Sequence, residues 1–118
     1  MSRRFVVQRH TVSAGDVHYD LMIEDGEVLV TFQLAEAPVG GARGRRVFDH
    51  RQRYLTYEGP ISGDRGAVTI WDTGRVTDRE GDPRAARYRA RFEGQQLRGD
   101  YVLVSGLDEG AAVSLEAE

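Results

Sequence analysis

At 118 residues, with 40% apolar and 30% charged side chains, the chain has the make-up of one globular domain and no room for a second core. The absence of cysteine excludes a disulfide scaffold, a cysteine zinc ribbon and a thiol nucleophile. A formal net charge of −3 argues against strong nonspecific nucleic-acid binding, and no apolar run approaches the ~18–20 residues of a membrane span or resembles a secretory leader.

Taken in chain order, apolar residues recur mostly with a period of two, the signature of half-buried strands. Arg4–Gln8 (RFVVQ), His18–Glu24 (HYDLMIE) and Val28–Gln33 (VLVTFQ) predict three strands, with Asp25-Gly26 as the hairpin turn between the last two. Gly40–Gly44 (GGARG) reads as a loop because three of its five residues are glycine, and Gly59–Gly66 reads as another. Ala67–Asp72 (AVTIWD) predicts a strand that turns at Thr73-Gly74 into a short partner, Arg75–Thr77. Asp78–Arg87, polar and containing Pro83, reads as a mobile excursion. Tyr88–Phe92 and Asp100–Ser105 predict two further strands, and the small, acidic segment from Gly106 onward reads as fraying. No 3.6-residue apolar pattern persists for three turns. The expectation is therefore all-β with minor helix, a small antiparallel barrel that is closed or partly closed, since closure removes exposed edges. One domain is expected over residues 1–106, followed by a flexible acidic tail over 107–118.

Charge is segregated along the chain. Asp16–Glu36 carries six acids and no arginine, and Asp100–Glu118 carries five acids and no arginine. Arg43–Arg53 carries five arginines against Asp49 alone, and Arg75–Arg98 carries seven against Asp78, Glu80, Asp82 and Glu93. Such runs are ordinarily solvated faces; if the two arginine-rich stretches meet in space, they form a local basic surface for a phosphate backbone.

The chemistry is concentrated in three histidines. His18 and Asp20 are two apart on a predicted strand, so they leave the same face, while Tyr19, Leu21 and Ile23 supply the core on the other. In a barrel, the face opposite the core can form the floor of a cleft. His10 ends the preceding strand and returns to the pair if the two strands are neighbours. Two imidazoles and a carboxylate bind a divalent transition metal and leave positions open for water or substrate. His50 and Tyr54, four apart, are flanked by Arg46, Arg51 and Arg53. Singly these are weak signals, because a lone histidine is more often a surface or core residue than a ligand.

Together and in order, these segments resemble the 3′-phosphoesterase domain of bacterial DNA ligase D, over roughly Arg4 to Ser105. The residues carrying the resemblance are Phe5-Val6-Val7-Gln8-Arg9-His10, His18-Tyr19-Asp20 with Glu24-Asp25-Gly26, and Asp49-His50 through Tyr54 with Glu58-Gly59. It extends through Gly63–Gly74, including Val68, Trp71 and Asp72, to Gly94, Leu97, Gly99 and Tyr101-Val102-Leu103-Val104. The resemblance implies divalent-metal-dependent healing of nucleic-acid 3′ ends in DNA repair, by removal of a terminal ribonucleoside and then of the 3′-phosphate. It implies His10, His18 and Asp20 as ligands of a metal, Mn²⁺ or another transition metal such as Zn²⁺. It implies His50 and Tyr54 as the catalytic groups that engage the scissile phosphate. The expected partners are primer–template 3′ ends, with a repair polymerase or ligase acting in trans and no membrane. The expected location is the cytoplasm of a bacterium or archaeon, at the nucleoid.

Two positions depart from the family pattern. Met22 stands where the family has an arginine, and Glu36 stands where it has a lysine. A thioether cannot make the bidentate grip of a guanidinium on phosphate. Arg9, Arg43, Arg45, Arg46, Arg51 and Arg53 are candidates for the missing positive charge. Two other readings follow: a catalytically impaired or altered-substrate paralogue that binds metal, nucleic acid or protein, and a cupin-like iron oxygenase built on His18, Asp20 and His50. Trp71 is weighed as a base-stacking residue against the commoner role of core packing.

Overall fold

The alternating segments become nine strands in the computed structural model, which describes all of Met1–Glu118. They are β1 (Ser2–Ser13), β2 (Asp16–Asp25), β3 (Val28–Leu34), β4 (Gly41–Arg51), β5 (Gly59–Pro60), β6 (Ala67–Glu80), β7 (Arg87–Glu93), β8 (Arg98–Ser105) and β9 (Ala112–Ala117). The other regular element is a 3-10 turn, Gln52–Leu55. Neighbours pair antiparallel in the order β1-β2-β3-β4-β9-β8-β7-β6, and β6 pairs back onto β1. Eight strands thus close a barrel, and β5 adds a short rung to β6.

Strand parity divides the side chains into two sets. Phe5, Val7, Leu21, Ile23, Val30 and Phe32 belong to the main core, in which the Phe5 and Phe92 rings meet edge to face at 5.2 Å. The alternate residues Val6, Met22 and Leu29 form a second, smaller apolar cluster with Leu55, on the outer side of β1–β3. Burial of Leu55 there holds the 3-10 turn against the outer wall, with Tyr54 and Ile70 packed on the same cluster.

Four sequence expectations are corrected. The glycine-rich segment from Gly41 is strand: a Cβ on Gly44 would lie 1.8 Å from the Gln33 carbonyl oxygen, so this glycine permits close β3–β4 pairing rather than a loop. Thr73-Gly74 is no turn, because β6 runs unbroken through it and bends with a register shift on β1 between Val7 and Gln8. The excursion expected over Asp78–Arg87 shortens to residues 81–86: β6 extends to Glu80, held by Asp78, whose carboxylate accepts from Arg3 Nε at 3.0 Å and from the Tyr88 hydroxyl at 2.6 Å. The acidic C-terminus is no tail. Val113 and Leu115 alternate into the core, and β9 fills the gap between β4 and β8, without which the barrel would stay open. The β2–β3 hairpin is found where expected but shifted by one residue. Asp25 pairs with Val28, and Gly26, with φ +62°, takes the first central position.

Asp72 is buried without a cation. Its Oδ1 accepts the Thr73 and Gln95 N–H groups at 2.9 Å, and its Oδ2 accepts those of Gln96 at 3.0 Å and Leu97 at 2.8 Å. Four backbone donors replace the water this carboxylate loses, and they fix the β7–β8 turn to β6.

Candidate metal centre

The β1–β2 register sets His10 opposite His18 and Gln8 opposite Asp20. All four have the parity opposite to Val7 and Leu21, so they leave the outer wall of the barrel, not its interior. The two imidazoles meet edge to face with centroids 4.5 Å apart. His18 Nε2 lies 3.4 Å from Asp20 Oδ1, and His10 Nδ1 lies 3.7 Å from Asp20 Oδ2. The three ligand atoms fall within 4.8 Å of one another. The two contacts to Asp20 are long for hydrogen bonds. They are close to the ~3.0–3.6 Å that separates donors sharing one cation at bonds of about 2.0–2.2 Å. The donor set fits a divalent transition metal.

The tautomer of His10 agrees with that fit. His10 Nε2 lies 2.6 Å from the Arg65 carbonyl oxygen. A carbonyl only accepts, so Nε2 carries the proton of the neutral ring and Nδ1 is the nitrogen that faces Asp20, protonated in the imidazolium and a free donor atom for an ion in the neutral ring. The Asp20 carboxylate raises the His10 pKa above its ordinary value against the opposing effect of partial burial, and the Arg65 carbonyl adds to the rise. Burial pushes the Asp20 carboxyl up, but the two imidazoles outweigh it and hold the group below the usual range.

An arch of chain from His50 to Tyr57 stands beside this cluster. Gln8, 2% exposed, donates from Nε2 to the carbonyls of Tyr54 and Tyr57, each at 3.0 Å. Gln52 Nε2 donates to Glu24 Oε2 at 2.8 Å. The arch and the β1–β4 wall enclose a cavity of about 670 Å³, within the range of small-molecule sites. His10, His18, Asp20, His50 and Tyr54 all line it, so every site residue expected from the sequence reaches one cavity. His50 arrives there through a β-bulge. Val47 opposes Thr31 and His50 opposes Leu29, so Phe48 and Asp49 together stand opposite Val30. The extra residue switches parity and turns His50 to the outer wall. His50 Nδ1 donates to the Phe48 carbonyl at 3.0 Å, which leaves Nε2 to bind or release a proton.

The arginines sort themselves. Arg51, Arg53 and Arg65 line the cavity, and the Arg53 guanidinium lies over the rings of Tyr54 at 5.5 Å and Tyr57 at 5.3 Å. The second arginine-rich stretch does not join them. Arg84 pairs with Asp25 and Asp49, Arg87 with Glu80, Arg89 with Glu118 and Arg91 with Asp100. Met22 is wholly buried in the small apolar cluster, and Glu36 lies away from the cavity, accepting the Arg43 N–H at 2.8 Å. Glu36 therefore places no negative charge at the site. Trp71 packs on the core against Tyr19, centroids 5.9 Å apart, which is the commoner of the two roles weighed for it. Gln8, Gln33, Phe48 and Arg65 line the cavity without having been singled out as site residues. For Gln8 a signal existed: a polar residue with the parity of His10.

The class defined by these features is a closed antiparallel β-barrel with a two-histidine, one-carboxylate cluster on its outer wall, beside a basic and aromatic cavity. Residues 8–105 match the family model of the DNA ligase D 3′-phosphoesterase domain, and the chain belongs to that family. β9 lies beyond the matched span. No curated protein matches the chain. No helix is long and apolar enough to cross a membrane.

Proposed function

We propose that the protein is a divalent-metal-dependent phosphoesterase that heals nucleic-acid 3′ ends in DNA repair, removing a terminal ribonucleoside and then a 3′-phosphate. The observation that carries this reading is the convergence of one ligand atom each from His10, His18 and Asp20 within 4.8 Å, beside a cavity lined by three arginines. Those three residues would hold the ion, with Mn²⁺ the favoured species. When bound, it supplies Lewis-acid polarisation of a phosphoryl oxygen and a water of lowered pKa. Arg51, Arg53 and Arg65 attract and orient the phosphate backbone. With its Nδ1–H committed to the Phe48 carbonyl, His50 acts through Nε2: protonated, it donates to the phosphate or to the leaving oxygen. The Tyr54 hydroxyl is a donor that stabilises charge developing on phosphate oxygens.

The decisive experiment is incubation of the folded chain with a primer–template whose primer ends in one ribonucleotide, with Mn²⁺ or with EDTA. Metal-dependent shortening to a 3′-OH end is expected. No shortening by a sample that binds Mn²⁺ would overturn the enzymatic reading. Met22 supports one second reading, an altered-substrate or binding-only paralogue, because apolar packing occupies the position of the family arginine. That reading predicts retained binding of primer–template without trimming.

A further inference from the structure

We infer that Phe48 is the platform on which the base of the terminal nucleotide stacks, an assignment that rests on the 3′-end reading. Phe48 is 61% exposed, although burial of an aromatic ring is ordinarily favourable, and it lies on the rim of the metal-centre cavity. Its ring lies flat on that of His50, with centroids 5.0 Å apart and planes within 5°. The backbone fixes the pair: His50 Nδ1 donates to the carbonyl of Phe48 itself, and Phe48 sits in the bulge that turns His50 outward. One flat ring thus continues the stack that begins with the residue proposed to touch the scissile phosphate. A nucleobase is the flat, apolar-faced group covalently attached to that phosphate's sugar. Arg51, Arg53 and Arg65 match the charge of the backbone it belongs to. Phenylalanine carries no hydrogen-bonding group, so the platform accepts any base.

The experiment uses the full chain and two primer–templates. One primer ends in a ribonucleotide bearing a fluorescent purine analogue, and the other ends in an abasic ribose. Stacking is read as fluorescence quenching in EDTA, without turnover. The preference for a base is read as the ratio of KM values in Mn²⁺. The wild type should quench the analogue and prefer the base-bearing end by about ten-fold or more. Phe48→Ala should lose both the quenching and the preference. Phe48→Leu keeps apolar bulk over His50 but has no flat face, and should lose both as well. Phe48→Trp should keep both. If Phe48→Leu matched the wild type, Phe48 would merely shield His50 and the platform would be overturned. Absence of quenching by the wild type would overturn it whatever the cleavage result. A wild type that quenches but never cleaves supports the platform while removing the phosphoesterase reading.

Discussion

His10 and Arg65 are 55 positions apart, yet the imidazole Nε2 of one meets the backbone carbonyl of the other at 2.6 Å. This contact orients a ring that strand pairing alone leaves free to rotate, and aims Nδ1 at Asp20. Replacing His10, His18 or Asp20 by alanine should therefore weaken Mn²⁺ binding beyond the ~100-fold reached by outer-shell changes. Calorimetric titration of the folded variants checks this. Wild-type affinity in all three would remove the cluster as a metal site.

The groups of the arch should separate from the proposed metal ligands in their effects. His50→Ala is expected to lower kcat by about 10²–10⁴, and Tyr54→Phe by about 10². Neither should change the Mn²⁺ affinity. Loss of metal binding in either variant would assign that residue to the centre itself.

Asp72 tests how the barrel is tied together. Asp72→Ala orphans four N–H groups of β6 and the β7–β8 turn, and should destabilise the fold by about 3 kcal/mol or more. Asp72→Asn retains one accepting oxygen and should lose less. Urea unfolding midpoints measure both, and a midpoint unchanged in Asp72→Ala would mean that these donors find equal partners elsewhere.

Besides Asp20, two carboxylates that pair with arginines contribute to acid stability. Burial pushes Asp78 up, but Arg3 and the Tyr88 hydroxyl outweigh it and hold it below its usual range. The Arg4 guanidinium is the main cause that lowers Glu24 to about 2. Both are depressed in the folded state. Each therefore adds stability that is complete above the unfolded values of roughly 4 and is lost as pH falls through the folded ones. Thermal midpoints should fall steadily from about pH 4 toward pH 2. Asp78→Asn should flatten that limb and cost about 1–3 kcal/mol at neutral pH. An acid limb as steep as that of the wild type would exclude Asp78 as its source.

Much of the fold was legible because a strand exposes its parity in its residue order. Phe5, Val7, Leu21 and Ile23 alternate with Val6, Gln8, Asp20 and Met22, and that alternation located β1 and β2 and put His18 and Asp20 on one face. It failed where composition stood in for packing. The glycines of β4 look like a loop until the approach of Gln33 explains Gly44, and the small residues of β9 look frayed until Val113 and Leu115 meet a core supplied by other strands.

The amino-acid order by itself located strands at Arg4–Gln8, His18–Glu24, Val28–Gln33, Ala67–Asp72, Tyr88–Phe92 and Asp100–Ser105 and put His18 and Asp20 on one face, because alternation depends on spacing along the chain, while the resemblance of its motifs made candidates of His10, His18, Asp20, His50 and Tyr54. Only the tertiary structure decided that β1 and β2 align those histidines as opposite partners, and that β9 closes the barrel. It also decided that Arg51, Arg53 and Arg65 reach the cavity while the arginines of β7 are neutralised. The bulge at Phe48-Asp49 shows why. One unpaired residue reverses the parity of everything after it, and its presence is fixed by the partner strand, which a pattern of single residues does not contain.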